Sequence, residues 1–91
     1  MQIRVELQLS GTDSKGKAFK ESAFTENVSV SSFFCACAVT LATDSVVEVF
    51  IARGSDQSVG KARVVRSEER QGAPSLYGFR FIEKKGEWIL Q

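Results

Sequence analysis

The sequence contains no histidine. That removes the general base of Ser–His and Cys–His nucleophile systems and the commonest nitrogen ligand of zinc. Only two cysteines are present, Cys35 and Cys37, both inside the apolar run FFCACAV. Residues i and i+2 of a strand share a face but do not readily join in a disulfide. The pair therefore reads as reduced core thiols in a cytosolic protein. Neither sign of charge dominates, with 12 basic and 11 acidic residues. No basic excess argues for a polyanionic partner, and no acidic run suggests a tail. No stretch of 18 apolar residues occurs, so no membrane-spanning helix is expected. The chain opens on an amphipathic strand rather than a charged-then-apolar leader. Gly-rich phosphate loops are missing, and the acids are scattered without an evident catalytic pair. The chain is not expected to be an enzyme. Its 91 residues suit a single domain over 1–91. At that size only about 60–65% of the unfolded surface can be buried, enough for one small core but not for a cleft between two lobes.

What is present is alternation. In IRVELQL (3–9), Ile3, Val5, Leu7 and Leu9 take one face, which predicts a half-buried strand. SGTDSKGK (10–17) reads as a turn. A second strand is expected over 18–26; Phe19 and Phe24, five apart, cannot share a face unless a bulge falls near Ser22. FFCACAVTL (33–41) places Phe33, Cys35, Cys37, Val39 and Leu41 on one face and leaves small Ala36 and Ala38 on the other. SVVEVFIA (45–52) alternates again, RGSDQSVG reads as a hairpin loop, and KARVVR (61–66) as a fifth strand. EERQGAPS is expected to be a polar loop. LYGFRFIE (76–83) forms a sixth strand in which Gly78 marks a bulge or a close backbone approach. The tail KKGEWILQ is expected as a short helix or a cap, with Trp88, Ile89 and Leu90 closing one end of the fold.

Six short strands with turn signals about every ten residues predict an all-β barrel or sandwich. A barrel is favoured because closure removes exposed strand edges. The seven phenylalanines could stack on single-stranded RNA, as small barrels allow. Most sit at inward positions, however, and no run mixes basic and aromatic residues. A nucleic-acid polymer is not an expected partner.

One stretch does not fit a plain strand. In FTENVSVSSFF (24–34) an asparagine and three serines immediately precede a strand bound for the core. Asn offers both donor and acceptor, and a Ser hydroxyl takes either role. Asn27 and Ser29 can form an Asx or Ser turn ahead of the strand.

Four pieces taken in order resemble a PilZ domain: GTDSKGKAFKESAFTENVS as its first hairpin, NVSVSS (27–32) as its [Asp/Asn]-x-Ser-x-x-Gly motif, GKARVVR (60–66) as its fifth strand, and YGFRF (77–81) as its Gly-Val-x-Phe sixth strand. The resemblance implies a six-stranded antiparallel β-barrel, often with a C-terminal helix. It implies a bacterial, cytoplasmic regulatory domain for the second messenger cyclic di-GMP, and no other cofactor. In that family an Arg-x-x-x-Arg segment before the first strand grips guanine and phosphate, and the Asx-x-Ser-x-x-Gly motif lines the other side. Asn27, Ser29 and Ser32 would be the corresponding ligand-binding residues. Two departures stand out. The motif's Gly is Ser32, and a Gly there would supply positive φ or admit a ligand to the backbone. No Arg-x-x-x-Arg occurs, and Arg4 has no arginine four residues away. Cyclic di-GMP binding is therefore expected to be weak or lost. If another cation takes the missing role, Arg66 and Arg4 are the first candidates. The alternative is a ligand-independent protein–protein interaction module on the same barrel.

Overall fold

The computed structural model describes residues 4–53 and 55–85, with side chains described over 4–51 and 58–85. Six strands form: β1 (Glu6–Thr12), β2 (Ala18–Val28), β3 (Ser32–Cys37), β4 (Val46–Arg53), β5 (Ser55–Arg70) and β6 (Ala73–Lys84). They close into a barrel in the order β1-β2-β3-β6-β5-β4. Every neighbouring pair is antiparallel, and β1 meets β4 to complete the ring. The expected all-β, six-stranded antiparallel barrel is the observed fold. Among the described residues no helix is long and apolar enough to cross a membrane. The cap expected from Trp88, Ile89 and Leu90 lies outside the described residues.

The interior follows from the period-2 pattern. Leu7, Leu9, Phe33, Cys35, Cys37, Val47, Val49, Val64 and Phe79 are all buried within one cluster. Phe33 and Phe79 stack with ring centroids 4.8 Å apart, which fixes β3 against β6 at the centre of the core. Thr25 is the one buried polar residue among those described. Its Oγ1 accepts the Val5 N–H at 2.8 Å, and its own N–H donates to the Val5 carbonyl at 2.9 Å. The chain entering β1 is thereby tied to β2.

Several boundaries differ from the sequence expectation. Strands β4 and β5 pair out to Arg53 and Ser55, so most of RGSDQSVG is strand rather than loop. Strand β5 runs on through SEER to Arg70, and the expected loop shrinks to a turn at Gln71 and Gly72. Outward polar residues carry no burial signal, yet their backbones satisfy ladder hydrogen bonds. Strand β3 ends at Cys37, although Leu41 still reaches the core, where its N–H donates to Tyr77 Oη at 3.1 Å. No bulge occurs near Ser22, because β1 and β2 pair without a slip from Glu6↔Phe24 to Thr12↔Ala18. Phe19 packs against the core, while Phe24 faces outward, 46% exposed, under the Arg4 guanidinium at 4.7 Å. The β2 bulge lies further on, between Thr25 and Asn27.

The expected close approach at Gly78 is present: a Cβ there would come within 2.8 Å of the Phe34 ring. Gly60 is constrained more severely. Its φ is +136°, and a Cβ would run into the Glu83 carbonyl.

Cys35 and Cys37 are free and buried, with sulfurs 3.8 Å apart. Contact with Cys37, together with burial, pushes the Cys35 thiol well above the usual range, which disfavours the reactive thiolate. Cys35→Ala is expected to lower unfolding stability by about 1 kcal/mol through a small cavity. In native protein both thiols are expected to label only at the rate of global opening; fast labelling would contradict their placement.

Candidate functional site

The bulge in β2 re-aims the chain before the β2–β3 turn. Thr25 pairs with Cys35 and Asn27 with Phe34, so Glu26 has no partner directly opposite. Ahead of the bulge, buried Ala23 and Thr25 point inward; beyond it, Val28 does. The extra residue thus inverts the alternation and leaves Asn27 exposed.

The turn itself is tied by serines. The Ser29 N–H donates to the Ser32 carbonyl at 2.8 Å, and the Ser32 N–H donates to Ser29 Oγ at 3.1 Å. The two hydroxyls lie 2.7 Å apart. Two further bonds anchor the turn to β6: the Phe81 N–H donates to the Ser31 carbonyl and Lys84 Nζ to the Val30 carbonyl, each at 2.9 Å. Short hydroxyls stand before the strand because they reach the backbone of a tight turn.

Asn27, Ser29 and Ser32 do come together. With Val28, Phe33 and Phe34 they line one groove of about 170 Å³. Enclosed small-molecule pockets run to about 300–1,000 Å³, so this groove can offer contacts along one side of a ligand without surrounding it. Ser32 is not strained in the place of a glycine: Asp44, at φ 75°, is the only non-glycine among the described residues with positive φ. Of the two roles considered for a Gly at this position, only close approach to the backbone remains relevant.

Sequence reasoning missed Phe34 as a part of the site. Its ring lies over Gly78 on the outer surface, with the Arg66 guanidinium carbon 5.6 Å from the ring centroid. Neither contact has a signal in local spacing, because the three residues lie on different strands. Arg4 sits over Phe24 on β2, and Val5 pairs with Thr25, so the chain enters β1 near the end of β2 that carries Asn27. Among the described residues no group of Cys, Asp and Glu side chains is placed to hold a metal ion.

Ser29→Ala removes the acceptor of the Ser32 N–H, whereas Ser32→Ala removes only the hydroxyl–hydroxyl contact. In urea denaturation Ser29→Ala is expected to cost about 1 kcal/mol and Ser32→Ala distinctly less. The reverse order would contradict a turn held by Ser29.

No protein-family model, curated protein or solved structure matches this chain.

Proposed function

We propose that this chain is a PilZ-like bacterial regulatory domain, cytoplasmic, whose affinity for cyclic di-GMP is weak or lost. The observation that carries this reading is the convergence of Asn27, Ser29 and Ser32 in one groove at the β2–β3 end of a closed six-stranded barrel. Entry of the chain into β1 beside Thr25 adds support, because Arg4 and Val5 lie at that same end of β2.

Weak affinity follows from the chemistry of the three side chains. All are neutral, and neutral hydrogen bonds contribute about 0.5–1.5 kcal/mol net each. Ser29 and Ser32 are already committed to one another and to the turn, so a ligand would have to compete for them. The charge-assisted forks that two arginines would supply, roughly twice as strong per bond, are not provided by an Arg-x-x-x-Arg segment in this sequence. A ligand-independent interaction module is the second reading. It is favoured by apolar side chains left in solvent near the same turn: Val30 is 63% exposed, and Ile82 on β6 is about half exposed.

Calorimetric titration of the 91-residue chain with cyclic di-GMP tests the first reading. The expected dissociation constant is weaker than about 100 μM, a binding free energy smaller than about 5.5 kcal/mol. Placing an Arg-x-x-x-Arg segment before Met1 together with Ser32→Gly is expected to restore measurable binding, and Asn27→Ala in that version to weaken it again. Micromolar binding by the unaltered chain would overturn the proposed weakness. Failure of the extended version to bind would overturn the ligand reading and leave the interaction module.

A further inference from the structure

Every strand of the barrel has two neighbours, but one seam is paired over only part of its length. Strand β2 matches β1 residue for residue from Thr12↔Ala18 to Glu6↔Phe24. On its other side it pairs with β3 only at Thr25, Asn27 and Val28. The Thr25 N–H donates to the Val5 carbonyl, so Thr25, Ala23 and Glu21 turn their backbone groups toward β1. Hydrogen-bonding direction alternates along an antiparallel strand, so Ser22 and Lys20 turn theirs toward β3. Among the described residues no backbone group meets them there. Strand β3 ends at Cys37.

Glu21 spans the gap. Its Oε2 accepts the Ala38 N–H at 2.9 Å, the group that a continued ladder would pair with the Ser22 carbonyl. Its Oε1 is buried without a hydrogen-bond partner among the described residues, and a buried carboxylate oxygen left unpaired is costly. The outer side of the seam is a groove of about 300 Å³. Ala36 and Ala38 are short enough to leave it open, and Phe24 and Pro74 stand along it. The small outer face of β3 thus coincides with the missing stretch of ladder.

We propose that this seam takes an extended segment of a partner protein as an added strand on β2, with a basic residue of that segment facing Glu21. Unpaired strand groups are a template for another strand, and strand addition draws its affinity from main-chain hydrogen bonds. Ser22 and Lys20 each exchange N–H and C=O bonds with the incoming chain. A carbonyl of that chain takes over the Ala38 N–H and frees Glu21. The residue directly opposite Glu21 lies on the same face of the sheet, within side-chain reach. A cation there makes a charge-assisted bond to the carboxylate. An apolar side chain there would leave the carboxylate buried and unpaired, so the seam rejects ordinary hydrophobic strands. Phe24 lies three residues from Glu21, and the side chain opposite it falls on the outer face. The segment therefore carries an apolar residue three positions from its basic one. The seam groove and the Asn27–Ser32 groove share no lining residue, and the inference does not depend on the PilZ reading.

The test is an amide NMR titration of the ¹⁵N-labelled 91-residue chain. In the free protein the Ser22 and Lys20 amides are expected to exchange with solvent fast, and those of Ala23 and Glu21 slowly. The probes are capped, threonine-rich heptapeptides with one lysine and one valine three positions apart. Both orders are used, to cover antiparallel and parallel addition. One order is expected to bind with a dissociation constant near ~100 μM, protecting Ser22 and Lys20 and shifting Ala38. Norleucine in place of the lysine is expected to weaken binding at least about tenfold. Glu21→Gln is expected to do the same and to erase the preference for lysine, with amide dispersion confirming that the variant folds. N-methylation of the two peptide residues flanking the lysine, which stand opposite Ser22 and Lys20, is expected to abolish binding. Slow exchange at Ser22 and Lys20 in the free protein would overturn the proposal. So would the absence of shifts with either order up to about 1 mM, ten times the expected constant, or unchanged affinity for the N-methylated peptide. Equal affinity for the lysine and norleucine peptides would overturn the role of Glu21. Protection of Ser22 and Lys20 that rises with protein concentration, without peptide, would assign the seam to a second copy of this chain instead. None of these outcomes bears on the Asn27–Ser32 groove, so failure here leaves the cyclic di-GMP reading to its own test.

Discussion

Pairing of β1 with β4 is the constraint on which the rest of the molecule depends. Leu7 faces Ile51 and Leu9 faces Val49 across that seam, and all four are buried. With the ring closed, no strand is left as a free edge, and each inward side chain has neighbours on every side. A ring this narrow must be filled entirely by side chains. Phe33 stacked on Phe79 occupies its middle, and the small thiols of Cys35 and Cys37 fit beside them. The groove lined by Asn27, Ser29 and Ser32 accordingly lies at the β2–β3 turn.

Closing six strands also requires sharp local curvature, which the bulges supply. Where the register shifts, Glu26 on β2, Val59, Val65 and Glu69 on β5, and Pro74 and Ile82 on β6 have no residue directly opposite. At Glu26, Val59 and Val65 the in–out alternation of the strand inverts. Two of these inversions shape the outer surface: the one at Glu26 brings Asn27 beside Phe34, and the one at Val65 brings Arg66 beside Gly78. Gly60 is the glycine counterpart, accepting a positive φ where β5 passes close to the Glu83 carbonyl. The same distortions that let the barrel close thus assemble its candidate binding surface.

The surface divides into a turn and a face. The turn consumes most of its own hydrogen-bonding capacity: Ser29 and Ser32 satisfy one another, and Val30 and Ser31 are held by β6. Such a turn is rigid but offers a ligand little that is free. On the adjacent face Arg63 and Arg80 stand directly opposite one another on β5 and β6, and both are exposed.

Alternation in the sequence alone determined the inward faces of β1, β3 and β4, because burial on one side of a strand has a period of two. It was enough to select Leu7 and Leu9, Phe33, Cys35 and Cys37, and Val47 and Val49, and hence a six-stranded closed sheet. Gly78 was legible for the same reason: a missing side chain inside an apolar strand marks a neighbour that needs the space. Asn27, Ser29 and Ser32 could be identified as a cluster, but not divided between a turn and a ligand. That division depends on hydrogen bonds across the turn and on the bulge at Glu26. The extent of β5 was hidden because SDQS and SEER carry no apolar rhythm, and only pairing with β4 and β6 makes them strand. The outward position of Phe24 and the alignment of Arg63 with Arg80 were also decided only in three dimensions. Side-chain pattern records which face of a strand is buried; which residues of different strands stand opposite depends on register, which the closed barrel and its bulges set.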